Sequence, residues 1–256
     1  MPNVTSTANR VAFITGASYG IGAATARALA SDGYDIAVAA TRLDHLRTTV
    51  AALEAAGTRV AAVEFDLCAQ ASLERAVADV IKALGRIDVL VNNAGTTVRR
   101  PAADITRGEW ETVMRTNVDG TFFLCQQMGR HLIATGRPGC IINMASAHAF
   151  VGYAQRSAYG VSKAAIVHLT KMLAIEWAEH GIRVNAVAPG RVTSGSPLRA
   201  ASAKNAHFIA NAHARIPLKR SATSEEVAAA VRYLASPAAA YITGHTLLLD
   251  GGLTAQ

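Results

Sequence analysis

A chain of 256 residues, 51% hydrophobic and 17% charged, is long and apolar enough to bury a large core. Its apolar runs, such as "IAVAA", fall well short of the roughly 18–20 residues that cross a bilayer, and the polar start "MPNVTSTANR" lacks the apolar centre of a signal peptide. The formal charge of +7 is spread along the chain without a dense basic run interleaved with aromatics, which argues against nucleic acid as the partner.

In chain order, the first apolar run is "RVAFIT" (10–15), and it leads through "TGASYGIG" (15–22) into a helical stretch near 20–32. In that loop Gly16 permits a tight turn, Gly20 the close approach of backbone to a pyrophosphate, and Gly22 the packing of helix on strand. The free N–H groups and positive end of the helix then favour an anion. Such a triplet in a strand–loop–helix context points to a dinucleotide rather than to a mere turn.

The second strand, "DIAVAA" (35–40), is followed by Thr41 and Arg42, where an NAD-selective site would carry an acid. A hydroxyl and a guanidinium suit a 2′-phosphate, so NADP(H) is favoured, with NAD(H) the other possibility. Asp44 is the rival acid, expected in the first turn of the helix near 43–56, where it would face the helix dipole.

Further strands follow at 59–65 ("RVAAVEF"), 87–91 ("IDVLV"), 140–145 ("CIINMA"), 182–188 ("IRVNAVA") and 245–250 ("HTLLLD"), with helices near 69–84, 106–133, 157–180 and 224–235. The strands lack strict polar alternation, as expected of strands covered on both faces. Repeated strand–helix–strand units give an α/β fold, a doubly wound parallel sheet of seven strands with helices on both faces. No linker or low-complexity run divides the chain, so a single domain is expected across 1–256. The long stretch 191–223 follows a strand's carboxyl end and is read as a substrate-covering loop with short helices.

"AYGVSK" (158–163) sets Tyr159 and Lys163 four residues apart, on one helix face. A phenol titrates near 10, too high for a base at neutral pH, and a neighbouring ammonium favours its ionised form. That is the tuning acid–base catalysis needs. Ser146, just past the fifth strand, could bond a substrate oxygen. Cys68, Cys125 and Cys140 are an odd, scattered set that suits free thiols in the cytoplasm. The eight histidines show neither HExxH nor a Cys/His cluster at zinc spacing, and no metal is expected.

With "TGASYGIG", Asp66 after the third strand, "NNAG" (92–95), Asn117 in "MRTNVDG", Ser146, "YGVSK", "RVNAVAPG" (183–190) and "ITGHTLLLDGG" (242–252) in that order, the chain resembles the short-chain dehydrogenase/reductase family over nearly its whole length. The resemblance implies a Rossmann fold and hydride transfer between a nicotinamide dinucleotide and an alcohol or carbonyl. Tyr159 would be general acid or base, Lys163 would lower its pKa and bond the nicotinamide ribose, and Ser146 would hold the substrate oxygen. Asn117 would support a water chain to Lys163.

The resemblance further implies that Gly16, Ser18, Tyr19, Gly20, Ile21 and Gly22 hold the pyrophosphate, with Thr41 and Arg42 at the adenine ribose. Asp66 and Leu67 would meet the adenine, and Asn93, Ala94 and Gly95 would lie beside its ribose. Pro189, Gly190, Val192 and Ser194 would cradle the nicotinamide. Many NADP-using relatives carry Lys or Arg where this chain has Tyr19, and Arg where it has Thr41.

Two substrate classes stay open. One is the β-keto thioester of 3-oxoacyl-carrier-protein reductases, whose basic grip on the carrier is kept here near Arg137 but replaced by Ile175. The other is a sugar acid or polyol, as in gluconate-type dehydrogenases, with Arg99 and Arg100 after the fourth strand able to clamp a carboxylate. Gln155 and Arg156 also favour a polar substrate. A catalytically silent dinucleotide-binding regulatory module is the reading from another class. Phe122, Phe123, Leu124, Leu169, Met172, Leu173 and Trp177 give two helices more than one apolar face; family resemblance implies docking of such helices into a homotetramer, with a dimer the alternative.

Overall fold

The computed structural model describes residues 9–193 and 213–255. Seven parallel strands form one sheet: β1 (Val11–Thr15), β2 (Asp35–Ala40), β3 (Val60–Glu64), β4 (Val89–Asn92), β5 (Gly139–Met144), β6 (Ile182–Pro189) and, after a short parallel pair β7 (Val192–Thr193) and β8 (Ala222–Thr223), β9 (Thr246–Leu249). The order across the sheet is β3-β2-β1-β4-β5-β6-β9. Each expected strand is found within two residues of its expected limits.

The central strands are buried along their full length because both faces are covered. On β1, Ala12 and Ile14 face one core, with α1 (Gly20–Ala30), α2 (Arg47–Ala55) and α7 (Ser224–Ala235). Val11 and Phe13 face the other, with α3 (Gln70–Leu84), α5 (Gly120–Thr135) and α6 (Ser157–Trp177). The short helix α4 (Arg107–Met114) precedes α5. This is the doubly wound arrangement, and its topological switch lies between β1 and β4, where a crevice opens at the strands' carboxyl ends.

The expected helix over 106–133 is two helices joined by a π turn, Arg115–Asp119. Such an interruption of the ladder is often placed at functional sites, and here it carries Asn117. Of the stretch 191–223, residues 194–212 lie outside the described residues, and with them Ser194. Its two described ends are tied together through β7 and β8, and Arg191 C=O accepts from the Ala222 N–H at 2.9 Å. The later end is anchored to α7 by a capping box: Thr223 Oγ accepts the Glu226 N–H, while Glu226 accepts the Thr223 N–H. Arg220 forks onto the same carboxylate at 2.8 and 2.6 Å, and that hydrogen bonding holds Glu226 down at about 2.

Candidate active site

The glycine loop closes on β4 rather than standing alone. Gly16 has φ +65° and Gly20 φ +59°, conformations that glycine alone adopts without strain. A Cβ at Gly16 would lie 2.8 Å from Ala94 Cα. One at Gly22 would lie 2.7 Å from Asn93 Nδ2 and collide with the Gly16 carbonyl. Gly22 therefore serves the approach of helix to its own loop and to Asn93, where packing on the strand was expected. Asn93 Nδ2 donates to the carbonyls of Thr15 and Gly16 at 3.0 and 2.9 Å, and Thr15 Oγ accepts the N–H groups of Asn93 and Ala94, each at 3.1 Å.

Beside this knot α1 begins at Gly20 and Ile21 with no side-chain cap and no acid in its first turn. Its opening amides and dipole are thus arranged for an anion, and the cradle next to Ser18 and Tyr19 fits a pyrophosphate.

At the end of β2, Thr41 and Arg42 are exposed, and Arg42 forks onto Asp44 with its Nε and Nη2 at 3.0 and 2.8 Å. Asp44 does sit in the first turn of a helix, the 3-10 turn Leu43–Leu46. The mutual hydrogen bond holds the Asp44 carboxyl below its usual range and raises Arg42. A guanidinium meant for a 2′-phosphate is therefore already engaged by an acid. Asp66 is exposed beyond β3 and accepts the Cys68 N–H at 2.8 Å, and Leu67 is buried against Gly120. On the far side, Pro189 ends β6 and Gly190 lies so near Asp250 that a Cβ would be 2.8 Å from its Cα. Val192 is buried in β7.

Tyr159 and Lys163 project from the first turns of α6 towards the end of β5. Lys163 is buried; its Nζ donates to Met144 C=O at 2.6 Å and stands 5.8 Å from the centre of the Tyr159 ring. Burial pushes its ammonium down to about 8. Ser146 is also buried, two residues beyond β5, and its Oγ accepts the His148 N–H at 3.2 Å. Asn117 Oδ1 accepts the Thr96 N–H at 2.8 Å, while Nδ2 donates to Thr96 C=O and Ser162 Oγ at 2.9 and 3.0 Å. The amide of Asn117 thereby ties the loop after β4 to α6, a use the sequence did not suggest. Gly95 completes the group: a Cβ there would be 3.0 Å from Asn117 Oδ1 and 3.7 Å from Lys163 Nζ.

Three residues at this mouth were not anticipated. The His148 ring stands edge-on to Tyr159, 5.8 Å between centres, and stacks on Tyr153 at 5.2 Å. Arg215 lies over the other ring of that stack, 5.4 Å from the centre of Tyr153. The histidine two places after Ser146 was the available signal; no spacing rule links Arg215 to it. Of the residues read as substrate clamps, Arg100 pairs with Glu109 at 2.7 Å, Arg99 Nε donates to Gln155 at 3.1 Å, and Arg156 donates to Thr97 at 2.7 Å. The first contact ties the loop after β4 to α4, and the other two knit it to the loop before α6.

A family model described as "Enoyl-(Acyl carrier protein) reductase" matches residues 16–254. The chain belongs to the short-chain dehydrogenase/reductase family. It is therefore an oxidoreductase that interconverts an alcohol and a carbonyl with a nicotinamide dinucleotide. It is 38% identical over 243 residues to 3beta-hydroxysteroid dehydrogenase 1 of Eggerthella lenta, covering 94% of this chain and 92% of that protein. It is also 38% identical over 247 residues to D-threitol dehydrogenase of Mycolicibacterium smegmatis, covering 96% and 93%. Among solved structures, a gluconate 5-dehydrogenase from Burkholderia cenocepacia J2315 in complex with NADP and tartrate superposes with a TM-score of 0.90 at 34% identity, covering 96% of each chain.

The buried ammonium sets a test. An ordinary lysine titrates near 10.5, so below about pH 8 the folded chain carries the full desolvation penalty, and the penalty fades as pH rises from about 8 to 10.5. Urea denaturation of the cofactor-free protein should show the stability of Lys163→Met improving relative to the parent as pH falls across that range. A difference independent of pH would contradict the placement of the charge.

Proposed function

We propose that the protein interconverts a secondary alcohol and a ketone on a small polar substrate, with Tyr159 as the proton-transferring group and NADP(H) as the preferred cofactor. The observation that carries this reading is the Lys163 ammonium, buried beside the Tyr159 ring and bonded to the Met144 carbonyl at the end of β5, two residues before Ser146. Bound dinucleotide would supply the hydride acceptor or donor. Ser146 Oγ would hold the reacting oxygen, and Tyr159 would give it a proton in reduction and take one in oxidation. Lys163, whose Nζ donates to Met144 C=O, sets its positive charge beside the phenol, where it would favour the phenolate formed as the proton leaves. Its remaining N–H groups suit a ribose hydroxyl. Asn117 acts by fixing the Thr96 loop against α6.

The dinucleotide would rest its pyrophosphate on Gly16 to Gly22 and the start of α1. Asn93, Ala94 and Gly95 would lie beside a ribose, Asp66 and Leu67 beside the adenine, and Pro189, Gly190 and Val192 around the nicotinamide. Thr41 and Arg42 support NADP(H), and the NADP complex of the gluconate 5-dehydrogenase neighbour agrees with it. For the substrate, the names of the D-threitol and gluconate 5-dehydrogenase relatives favour a hydroxyl-rich molecule over a carrier-bound thioester. Ile175, 78% exposed where a basic grip on a carrier would be needed, points the same way.

We further read the chain as a cytoplasmic homotetramer. Leu124 and Leu173 belong to the core, but Phe123, Met172 and Ile175 leave apolar surface on α5 and α6 for a partner copy. Light scattering should give about four times the chain mass; a monomer would refute the assembly.

Two experiments test the chemistry. Fluorescence titration should give a lower dissociation constant for NADPH than for NADH, with the advantage lost in Arg42→Ala. A preference for NADH would mean that Asp44 governs the ribose end. Tyr159→Phe should lower turnover by at least a thousandfold, since it deletes the proton donor, while leaving NADPH affinity within about twofold. Unchanged turnover in that variant would sink the mechanism and favour a silent binding module.

A further inference from the structure

The walls of the site are basic on the substrate side. The segments 93–101, 145–159, 190–193 and 213–221 contain seven Lys and Arg and no Asp or Glu. Three of the acids adjoining them have partners: Glu109 pairs with Arg100, Glu226 with Arg220, and Asp250 accepts the N–H groups of Gly252 and Thr254. The imbalance extends further. From residue 120 to 224 the chain has twelve Lys and Arg against two acids, Glu176 and Glu179, so this part carries +10 and the remainder −3.

One guanidinium in this field has a place relative to the reacting groups. Arg215 lies over Tyr153, Tyr153 stacks on His148, and His148 touches Tyr159 with its ring and Ser146 Oγ with its backbone N–H. The rings make a continuous wall that leads from the cation to the reaction centre. We propose that this wall selects an anionic substrate, a small hydroxy-carboxylate whose carboxylate binds Arg215 while its hydroxyl reaches Ser146 and Tyr159. The inference rests on the reading of Ser146, Tyr159 and Lys163 as the reaction centre and adds the charge of what they act on. A guanidinium binds a carboxylate through parallel charge-assisted bonds, and its flat face packs against an aromatic ring without losing its donors. His148 and Tyr153 are then specificity residues, lining the path of the carbon chain between the two polar ends with their ring edges.

The rival role for so much positive charge is attraction of the dinucleotide itself. The two are separable because the glycine loop that fits the pyrophosphate lies at β1 and β4, whereas Arg215 stands on the Tyr153 side. Calorimetric titration of the protein saturated with oxidised dinucleotide should therefore compare D-gluconate with D-glucitol, which differ only in the carboxylate. Gluconate is expected to bind at least tenfold more tightly, with the advantage shrinking as KCl is added. Arg215→Leu should abolish the advantage, Arg215→Lys should keep part of it, and dinucleotide affinity should be the same in all three proteins.

Equal binding of the two probes, or no binding of gluconate, overturns the proposal, as does a preference that survives in Arg215→Leu. A parallel loss of dinucleotide affinity in Arg215→Leu would assign the residue to the cofactor instead. Because the readout is binding, gluconate that binds as expected but is not oxidised would leave the anion site standing and count against the reaction centre alone.

Discussion

Everything at this site depends on keeping one ammonium out of water. Lys163 is enclosed, and among the described residues no carboxylate pairs with it. A buried cation without a counter-ion costs several kcal/mol unless it is well hydrogen-bonded, and the contact to Met144 C=O answers only part of that demand. The position is tenable only if α6 cannot move away from β5. A buried polar chain enforces this: Asn92 Nδ2 donates to Asn143 Oδ1 at 2.8 Å across the sheet, and Asn143 Nδ2 donates to Thr170 Oγ on α6 at 3.1 Å. Polar groups buried in this way fix register, because any slip leaves several of them unsatisfied. The cost of the lysine and the rigidity of its surroundings are thus two sides of one arrangement.

The glycine loop obeys the same logic at the other end of the crevice. Thr15, Gly16, Asn93 and Ala94 hold one another through side-chain and backbone bonds, so the turn after β1 and the turn after β4 have a single joint conformation. A third constraint comes from Asn117. By breaking the helix into α4 and α5 with a π turn, the chain turns that side chain onto Thr96 and Ser162. Three elements, the loop after β4, the π turn and α6, then share one set of hydrogen bonds around Gly95. Side chains on separate elements are held in fixed relation before any ligand arrives, which is what precise chemistry requires.

The strands were legible because burial on both faces leaves an unbroken apolar run, and the helices because periodicity and glycine punctuate them. The π turn was not, since the pattern on both sides of "MRTNVDG" reads as one continuous helix and the bond from Thr96 to Asn117 is seen only in the fold. The same limit explains Arg42. Residue counting located it at the strand end, but its pairing with Asp44 depends on the geometry of a 3-10 turn that sequence spacing does not reveal. Gly22 was assigned to the right loop and the wrong neighbour, because what a missing Cβ avoids is known only once Asn93 is in place. His148, Tyr153 and Arg215 come from stretches in which no rule relates position to role, and they meet only through the fold.

The charge distribution also gains meaning only in the fold. Counting basic residues finds them dispersed, and dispersal argues against a nucleic-acid footprint. The informative feature is the scarcity of acids over residues 120–224, which becomes meaningful when the topology gathers the end of β5, the start of α6 and the approach to α7 around one crevice. At the end of β2 the chain opposes Arg42 with Asp44, so charge there is locally balanced. Around the end of β5, three acids are already committed to Arg100, to Arg220 and to the turn at Asp250. A low-dielectric wall of Tyr153 and His148 strengthens the field of the charges beside it. Selectivity for an anion then needs no dedicated clamp grown from one element: it follows from removing carboxylates from several elements and placing one guanidinium on an aromatic face.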